Sequence, residues 1–408
     1  MTTRMWQEIH EQPAVARRII ETWRTERAAL LADCRAELRG AERVILAGTG
    51  ASLAACRAGQ YIFVRCGRLL PHVVPADDLT GPAARLLGPE SLVILVSQSG
   101  ESLETREAVR ALRAGGVRLW GITNDPSSLL AREADQVLPL DAGAEVSSAT
   151  KTYLATLLLL LLLAGAGVCL QHLPDDLEET LRRSAEPVAR WAAALAPAQA
   201  GYILGLQQLG PIAAQGALLL KEKASLHFEG LTVSEFRHGC IEAVQPGLPI
   251  LLLASTPAGA AEGLRHAAYL ASLGADVRLI TDAVPAEDMR LGCDGTRAEL
   301  GRAAGAAGPQ PAAGPTRSTP AATARTPQTP PGARTPGAEG ERQPPGASPT
   351  ATLPSDRVLV VQNRGDRVLG MLQAVVPLQL LAERIARELG HDVDGFRYIS
   401  KVVDSYQY

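Results

Sequence analysis

Four polar side chains, Ser97, Gln98, Ser99 and Ser102, follow directly on the apolar run Leu92-Val-Ile-Leu-Val96. The pattern predicts a buried strand, a loop of small residues, and a helix that starts near Ser102. Hydroxyls and free backbone N–H groups then converge at a helix N-terminus, where the helix dipole favours an anion. A phosphate monoester suits such a loop, and an ordinary serine cap on a strand-to-helix turn is the plainer alternative. An earlier apolar run ends similarly, in Gly48-Thr-Gly-Ala-Ser52. It has two glycines of a dinucleotide fingerprint, but Leu53 stands where the third belongs. Ser52 is instead a candidate to join the phosphate loop.

Lysine marks the other candidates. Of 40 basic residues only Lys151, Lys221, Lys223 and Lys401 are lysine. An arginine cannot lose its proton or form a Schiff base, and a lysine can. Lys151 lies in Glu145-Val-Ser-Ser-Ala-Thr-Lys-Thr152, at the start of a leucine-rich helix, where its charge opposes the dipole. A surface pair with Glu145 would account for it. Lys221 and Lys223 flank Glu222 in a helical pattern from Ala217 to His227. On a helical wheel Glu222 shares the face of Leu218 and Leu226, while Lys223 and His227 share a face expected to be solvated. Burial raises a carboxylate's pKa towards the range of a general base, although a buried ion pair is the alternative. His238 sits in a loop soon after, before Gly239. Lys401 follows a helix expected over 378–389 and closed by Gly390, on a tail that could fold over a site or simply fray.

The elements that must position these residues repeat along the chain. Apolar strand-like runs begin at Val44, Leu92, Val117 and Val137, and again at Ile203, Ile250, Val277 and Val358. The first steps agree closely between the halves, and the last is about 60 residues longer in the second half. That excess coincides with residues 301–350, which hold eleven Pro, eight Gly and no Leu, Ile, Val, Met or aromatic residue. This composition is expected to be a disordered insertion within the second half. Helical patterns between the runs, such as 102–114 and 261–273, predict an α/β fold with parallel sheets covered on both faces. Ligands of such sheets bind at the carboxyl ends of the strands.

Composition narrows the function. The 408 residues carry a formal net charge of −3 and only 4% aromatic residues, which argues against a nucleic-acid binder. The apolar stretch 153–170, with seven consecutive leucines at Leu157 to Leu163, reaches the lower length limit of a membrane span but reads as a core helix without flanking arginines. No membrane association is expected. The six cysteines have no metal spacing and no secretory leader precedes them, so they read as reduced thiols of a cytoplasmic protein.

Several of these strings occur together in one known family. The tandem halves, Ser97-Gln-Ser-Gly-Glu-Ser102, Ser148-Ala-Thr-Lys151, Leu220-Lys-Glu222, Arg237-His-Gly239, Val376-Pro-Leu-Gln-Leu-Leu381 and Ser400-Lys401 resemble the sugar isomerase (SIS) domain family. Within it, the likeness is to the isomerase half of glucosamine-6-phosphate synthase and to SIS-type glucosamine-6-phosphate deaminases. The resemblance implies two tandem doubly wound SIS domains, at 1–185 and 186–408, the second interrupted at about 296–355. It implies that Ser97, Gln98, Ser99 and Ser102 hold a sugar phosphate, with Ser52, Ser148 and Lys221 nearby. Glu222 would move a proton between C1 and C2, and His238 would open the sugar ring from a second subunit. Lys401 would form a Schiff base with the ketose or lie against its carbonyl.

A homodimer with shared sites follows from that assignment, with no cofactor and no metal. Leu219 stands where the synthases have a lysine, and Ala149 where they have a serine. The first strand is expected at Arg43, and Thr2 stands where the synthases expose a cysteine, so no glutamine-hydrolysing domain is expected. The implied reaction is conversion of glucosamine 6-phosphate to fructose 6-phosphate and ammonia. A fructosamine-6-phosphate deglycase and a non-catalytic sugar-phosphate sensor are the alternatives.

Overall fold

In the computed structural model, which describes residues 2–165, 170–254, 257–282, 353–361, 366–398 and 400–403, the apolar runs form two parallel sheets. The first contains β1 (Arg43–Gly48), β2 (His72–Pro75), β3 (Ser91–Val96), β4 (Arg118–Thr123) and β5 (Gln136–Pro139), ordered β2-β1-β3-β4-β5. The second contains β6 (Ala200–Gly205), β7 (His227–Thr232), β8 (Pro249–Ala254), β9 (Asp276–Thr281) and β10 (Val358–Val360), ordered β10-β9-β8-β6-β7. Read from the other edge, the second sheet repeats the winding of the first.

Helices α1 (Arg4–His10), α2 (Gln12–Arg24) and α3 (Ala28–Gly40) precede β1. Within the first half, α4 (Ala51–Ile62), α5 (Leu103–Ala114) and α6 (Leu129–Glu133) connect strands. Then α7 (Lys151–Leu163) and α8 (Leu173–Leu195) lead to the second half, so residue 185 lies inside a continuous helix. There α9 (Gly210–Leu219), α10 (Val233–Arg237) and α11 (Pro257–Ser272) connect strands, and α12 (Arg367–Glu388) follows β10.

One apolar core lies between the sheets and joins the halves. It includes Leu46 and Ile94 of the first sheet, Ile203 and Leu251 of the second, Leu160 of α7 and Val376 of α12. Alternate residues face outward: Ile45 and Val93 pack with Leu112 of α5, and Ile250 and Leu252 pack with Leu264 of α11. The seven-leucine run in α7 is buried throughout, as a core helix should be. Among the described residues one helix, α12, is long and apolar enough to cross a membrane, and 94% of its most apolar window is buried inside the protein.

Two strands were not anticipated, and both arise the same way. Helices α4 and α9 each end in a single wide turn, Phe63–Gly67 and Leu220–Ala224, of the rare π type. A left-handed residue follows each, Arg68 (φ 51°) and Ser225 (φ 55°), and turns the chain into the edge strands β2 and β7. The helix expected to reach His227 therefore stops at Ala224. His227 is exposed on β7, but Lys223 is buried, contrary to the solvated face expected for both. Helix α12 also begins earlier than expected, because Pro377 lies inside it and does not start it. Its true N-terminus is capped by Asp366, which accepts from the N–H groups of Val368 and Leu369 at 2.7 and 3.1 Å. The stretch 301–350, expected to be disordered, lies outside the described residues.

Candidate active site

The serine loop lies where the sheet topology places a ligand. From β1 the chain turns towards β2, and from β3 towards β4, in opposite directions. A crevice opens between the carboxyl ends of such neighbours. Ser97 is buried at the end of β3, and its Oγ accepts from the Gly100 N–H at 3.1 Å and the Thr105 hydroxyl at 3.0 Å. Ser99 Oγ accepts from the Glu101 N–H at 3.3 Å. Ser102 caps α5, its Oγ 2.7 Å from Thr105 Oγ1 and 3.4 Å from the Thr105 nitrogen. The Gln98 carbonyl ties the loop to β4 by accepting from the Asn124 N–H at 3.0 Å. Gly100 has φ +63°, and a Cβ there would lie 2.2 Å from Ser128 Oγ, so only glycine closes the loop this tightly. Ser52 is half-buried in the first turn of α4, at the carboxyl end of adjacent β1. The expected phosphate loop is thus assembled as a set of short polar groups at a helix N-terminus.

The segment between β5 and α7 forms a second polar corner, organised by Glu145. Its side chain is fully buried. Oε1 accepts from the N–H groups of Thr150 and Thr152, at 2.9 and 3.1 Å, and from the Thr150 hydroxyl at 3.1 Å. Oε2 accepts from the Thr152 hydroxyl at 2.6 Å. A carboxylate therefore caps α7, as the dipole favours. Glu145 does not pair with Lys151, as the sequence suggested; Lys151 is ion-paired with Glu11 instead. The second half fixes this corner from behind: Gln379 of α12 donates to the Thr150 carbonyl at 3.2 Å, and Gln215 of α9 to that of Ala149 at 3.4 Å.

Glu222 approaches the corner from the wide turn ending α9. It is half-buried, and desolvation raises its carboxyl pKa above the usual range. Ser148, Lys223 and Lys401 oppose that rise, and Glu145 adds to it. The Ser148 hydroxyl is close enough to temper the Glu222 charge, yet it has no partner in good hydrogen-bond geometry and is buried. Glu222 thus has the environment expected of a general base, a carboxylate held back from water but not locked in an ion pair.

The chain end returns across these parts as a strap, described over residues 391–398 and 400–403. Gly390 (φ +71°) terminates α12. The Val393 carbonyl accepts from Ser147 Oγ at 2.8 Å. The Asp394 carboxylate caps α1 through the N–H groups of Arg4 and Met5, at 2.9 and 3.0 Å. Lys401 Nζ then donates to Glu145 Oε2 at 3.1 Å and to the Ser147 carbonyl. At the far end the Val403 carbonyl accepts from the Leu103 N–H at 3.0 Å, in the first turn of α5 beside the serine loop. The described part of this segment links the Glu145 corner, beside Glu222, to the expected phosphate loop.

Two expected residues are exposed. Lys221 is exposed and lines a cleft of about 380 Å³ with Glu222, Ser225, Leu226, Phe396 and Tyr398. His238 is exposed at the end of α10, its N–H donating to the Glu235 carbonyl at 3.1 Å. Among the described residues no hydrogen bond or ion pair joins it to Glu222. Sequence reasoning missed Glu145 as the organising carboxylate and Lys223 as a buried amine. The scarcity of lysine was the available signal for Lys223.

Comparison with known proteins places this geometry in a family. A SIS domain is matched over residues 37–166, which hold the whole first sheet, the serine loop and the Glu145 corner. This chain is a SIS-domain protein. The second sheet repeats the SIS winding. The isomerizing glutamine–fructose-6-phosphate aminotransferase of Aeropyrum pernix is 36% identical over 296 residues, covering 68% of this chain and 47% of its own length. That of Pyrococcus horikoshii is 31% identical over 295 residues, covering 67% and 48%. The chain spans about half the length of the curated relatives it matches. Among solved structures, the C-terminal domain of the glucosamine-fructose-6-phosphate aminotransferase of Francisella tularensis aligns with TM-score 0.70 at 20% identity, over 97% of this chain and 98% of that one. Glucosamine-6-phosphate deaminase of Thermotoga maritima aligns with TM-score 0.68 at 18% identity, over 98% and 99%. These two share the tandem SIS fold.

Proposed function

We propose that this chain converts glucosamine 6-phosphate, or a close hexosamine 6-phosphate, to fructose 6-phosphate and ammonia. The observation that carries the reading is Glu222: a desolvated carboxylate beside an unpartnered Ser148 hydroxyl, under a strap that joins Lys401 to the serine loop. The names of the relatives, which act on fructose 6-phosphate, support the substrate class.

In this reading Ser97, Gln98, Ser99 and Ser102 hold the phosphate, with Ser52 at the crevice edge. His238 of a second copy in a homodimer opens the ring by general acid–base transfer. Glu222 removes the proton from C2 of the open-chain aminoaldehyde and delivers it to C1, while O1 gains the proton that the C2 amine gives up, which leaves a C1 hydroxyl and an imine at C2. Addition of water and loss of ammonia then give the ketose. Lys401 lies against the substrate carbonyl, where a cationic nitrogen favours the negative charge that develops on oxygen as the proton leaves the neighbouring carbon. A raised carboxyl pKa suits Glu222 because it must bind the proton in one half-step and release it in the next.

The test is to incubate the protein with glucosamine 6-phosphate and measure ammonia and fructose 6-phosphate. Wild type should release both in equal amounts, and Glu222→Gln should be slower by about a thousandfold, the scale of a lost general base. No ammonia from wild type, or equal rates for the two proteins, would overturn the proposal.

A further inference from the structure

Lys223 has no place in the reaction above, yet its setting is unusual. Its side chain is buried, and its Nζ donates to the Gly395 carbonyl at 2.9 Å. The same ammonium lies 3.8 Å from the centroid of the Phe396 ring. Its own backbone carbonyl is 3.1 Å from His391 Nδ1, so three positions of the strap meet one residue. Lys223 follows Glu222 directly in the wide turn that ends α9. One side of that turn therefore presents the candidate base, and the other grips the segment that carries Lys401.

We propose that Lys223 is a positioning residue: its ammonium clamps the strap at Gly395 and Phe396, and so sets where Lys401 meets the Glu145 corner. The inference rests on the roles proposed above for Glu222 and Lys401. The clamp is polar where a fastening by apolar side chains would have cost less. Burial lowers the Lys223 pKa to about 8, against the raising influence of Glu222, Asp392 and Asp394, with Lys401 also lowering it. An amine is desolvated here in exchange for a directed bond to a backbone carbonyl and a cation–π contact, both of which fix the strap in register. An apolar side chain would bury the strap without choosing which residue lies over the turn.

The test uses Lys223→Met, which keeps length and removes charge, and Phe396→Ala, which weakens the clamp from the strap side without touching the core. Two readouts apply to the full chain. The first is the rate of trypsin cleavage at Arg397 and Lys401 under native conditions, which reports opening of the strap. It should rise about tenfold in either variant. The second is steady-state turnover of glucosamine 6-phosphate. Here kcat should fall about tenfold with KM changed less than about twofold, and Lys223→Met should add no further loss in a Lys401→Ala background. If Lys223→Met does not fold, Phe396→Ala decides alone. Unchanged cleavage rates would overturn the clamp, and additive losses in the double variant would show that Lys223 does not act through Lys401. Faster cleavage in a protein whose parent shows no turnover would sink the reaction proposed above while upholding the clamp.

Discussion

Replacing Glu145 should separate the strap's contribution to activity from the helix cap's contribution to stability. In Glu145→Ala the N–H groups of Thr150 and Thr152 lose their acceptor inside the protein, at the start of a helix buried throughout. Each unsatisfied buried donor costs about 1–3 kcal/mol. Lys401, whose side chain is about one-quarter exposed, loses its ion-pair partner but can recover part of its hydration. The total should be about 3–5 kcal/mol, the range found when one member of a buried charged pair is removed. That is about a third of the stability of an ordinary domain. Glu145→Gln is the milder perturbation. Its amide oxygen can still accept from Thr150 and Thr152, but its NH₂ group now faces the Lys401 ammonium. The cap survives and the strap contact does not, so the loss should be about 1–2 kcal/mol. Urea unfolding followed by far-UV circular dichroism measures both, and turnover with glucosamine 6-phosphate measures the strap. The expected result is a large stability loss in Ala, a small one in Gln, and depressed kcat in both. A cost below about 1 kcal/mol for Glu145→Ala would refute the reasoning, because four hydrogen bonds to a buried carboxylate cannot then be organising the corner.

Two further outcomes follow from the site. Burial raises the Glu222 pKa, so the stability it contributes is complete below the unfolded value of 4.5 and is lost as pH rises through the folded one; Glu222→Gln should therefore gain in Tm relative to wild type as pH increases from 5 to 8, and a Tm difference that stays constant or shifts in favour of wild type over that range would contradict the burial of the carboxylate. If His238 acts across a subunit interface, Glu222→Gln and His238→Ala should each be inactive alone and recover activity when co-expressed and purified as a mixed dimer, and a mixture no better than its parts would place His238 outside the site.

How much was legible varied with the range of the interactions involved. The serine loop could be read locally: an apolar strand, small polar residues and a capping serine lie within eleven consecutive positions, and local geometry suffices to bring them together. The tandem repeat, though not its edge strands β2 and β7, was likewise visible in the spacing of apolar runs. The π turns were not, because one extra residue in the last helical turn rotates the side chains there by about 100° without leaving a mark in the apolar pattern. Lys223 was placed on a solvated face for that reason alone.

The sequence by itself determined the α/β class, the tandem repeat of apolar strands and the small polar loop after β3, since each follows from propensity, periodicity or a short string. Tertiary structure alone decided the company these residues keep. Lys401 meets Glu145 across 256 positions, and Lys223 meets Gly395 across 172. Such pairs form only after two sheets have packed around a common core and the chain end has been laid over it. Their energies depend on burial, and burial is a property of the whole fold.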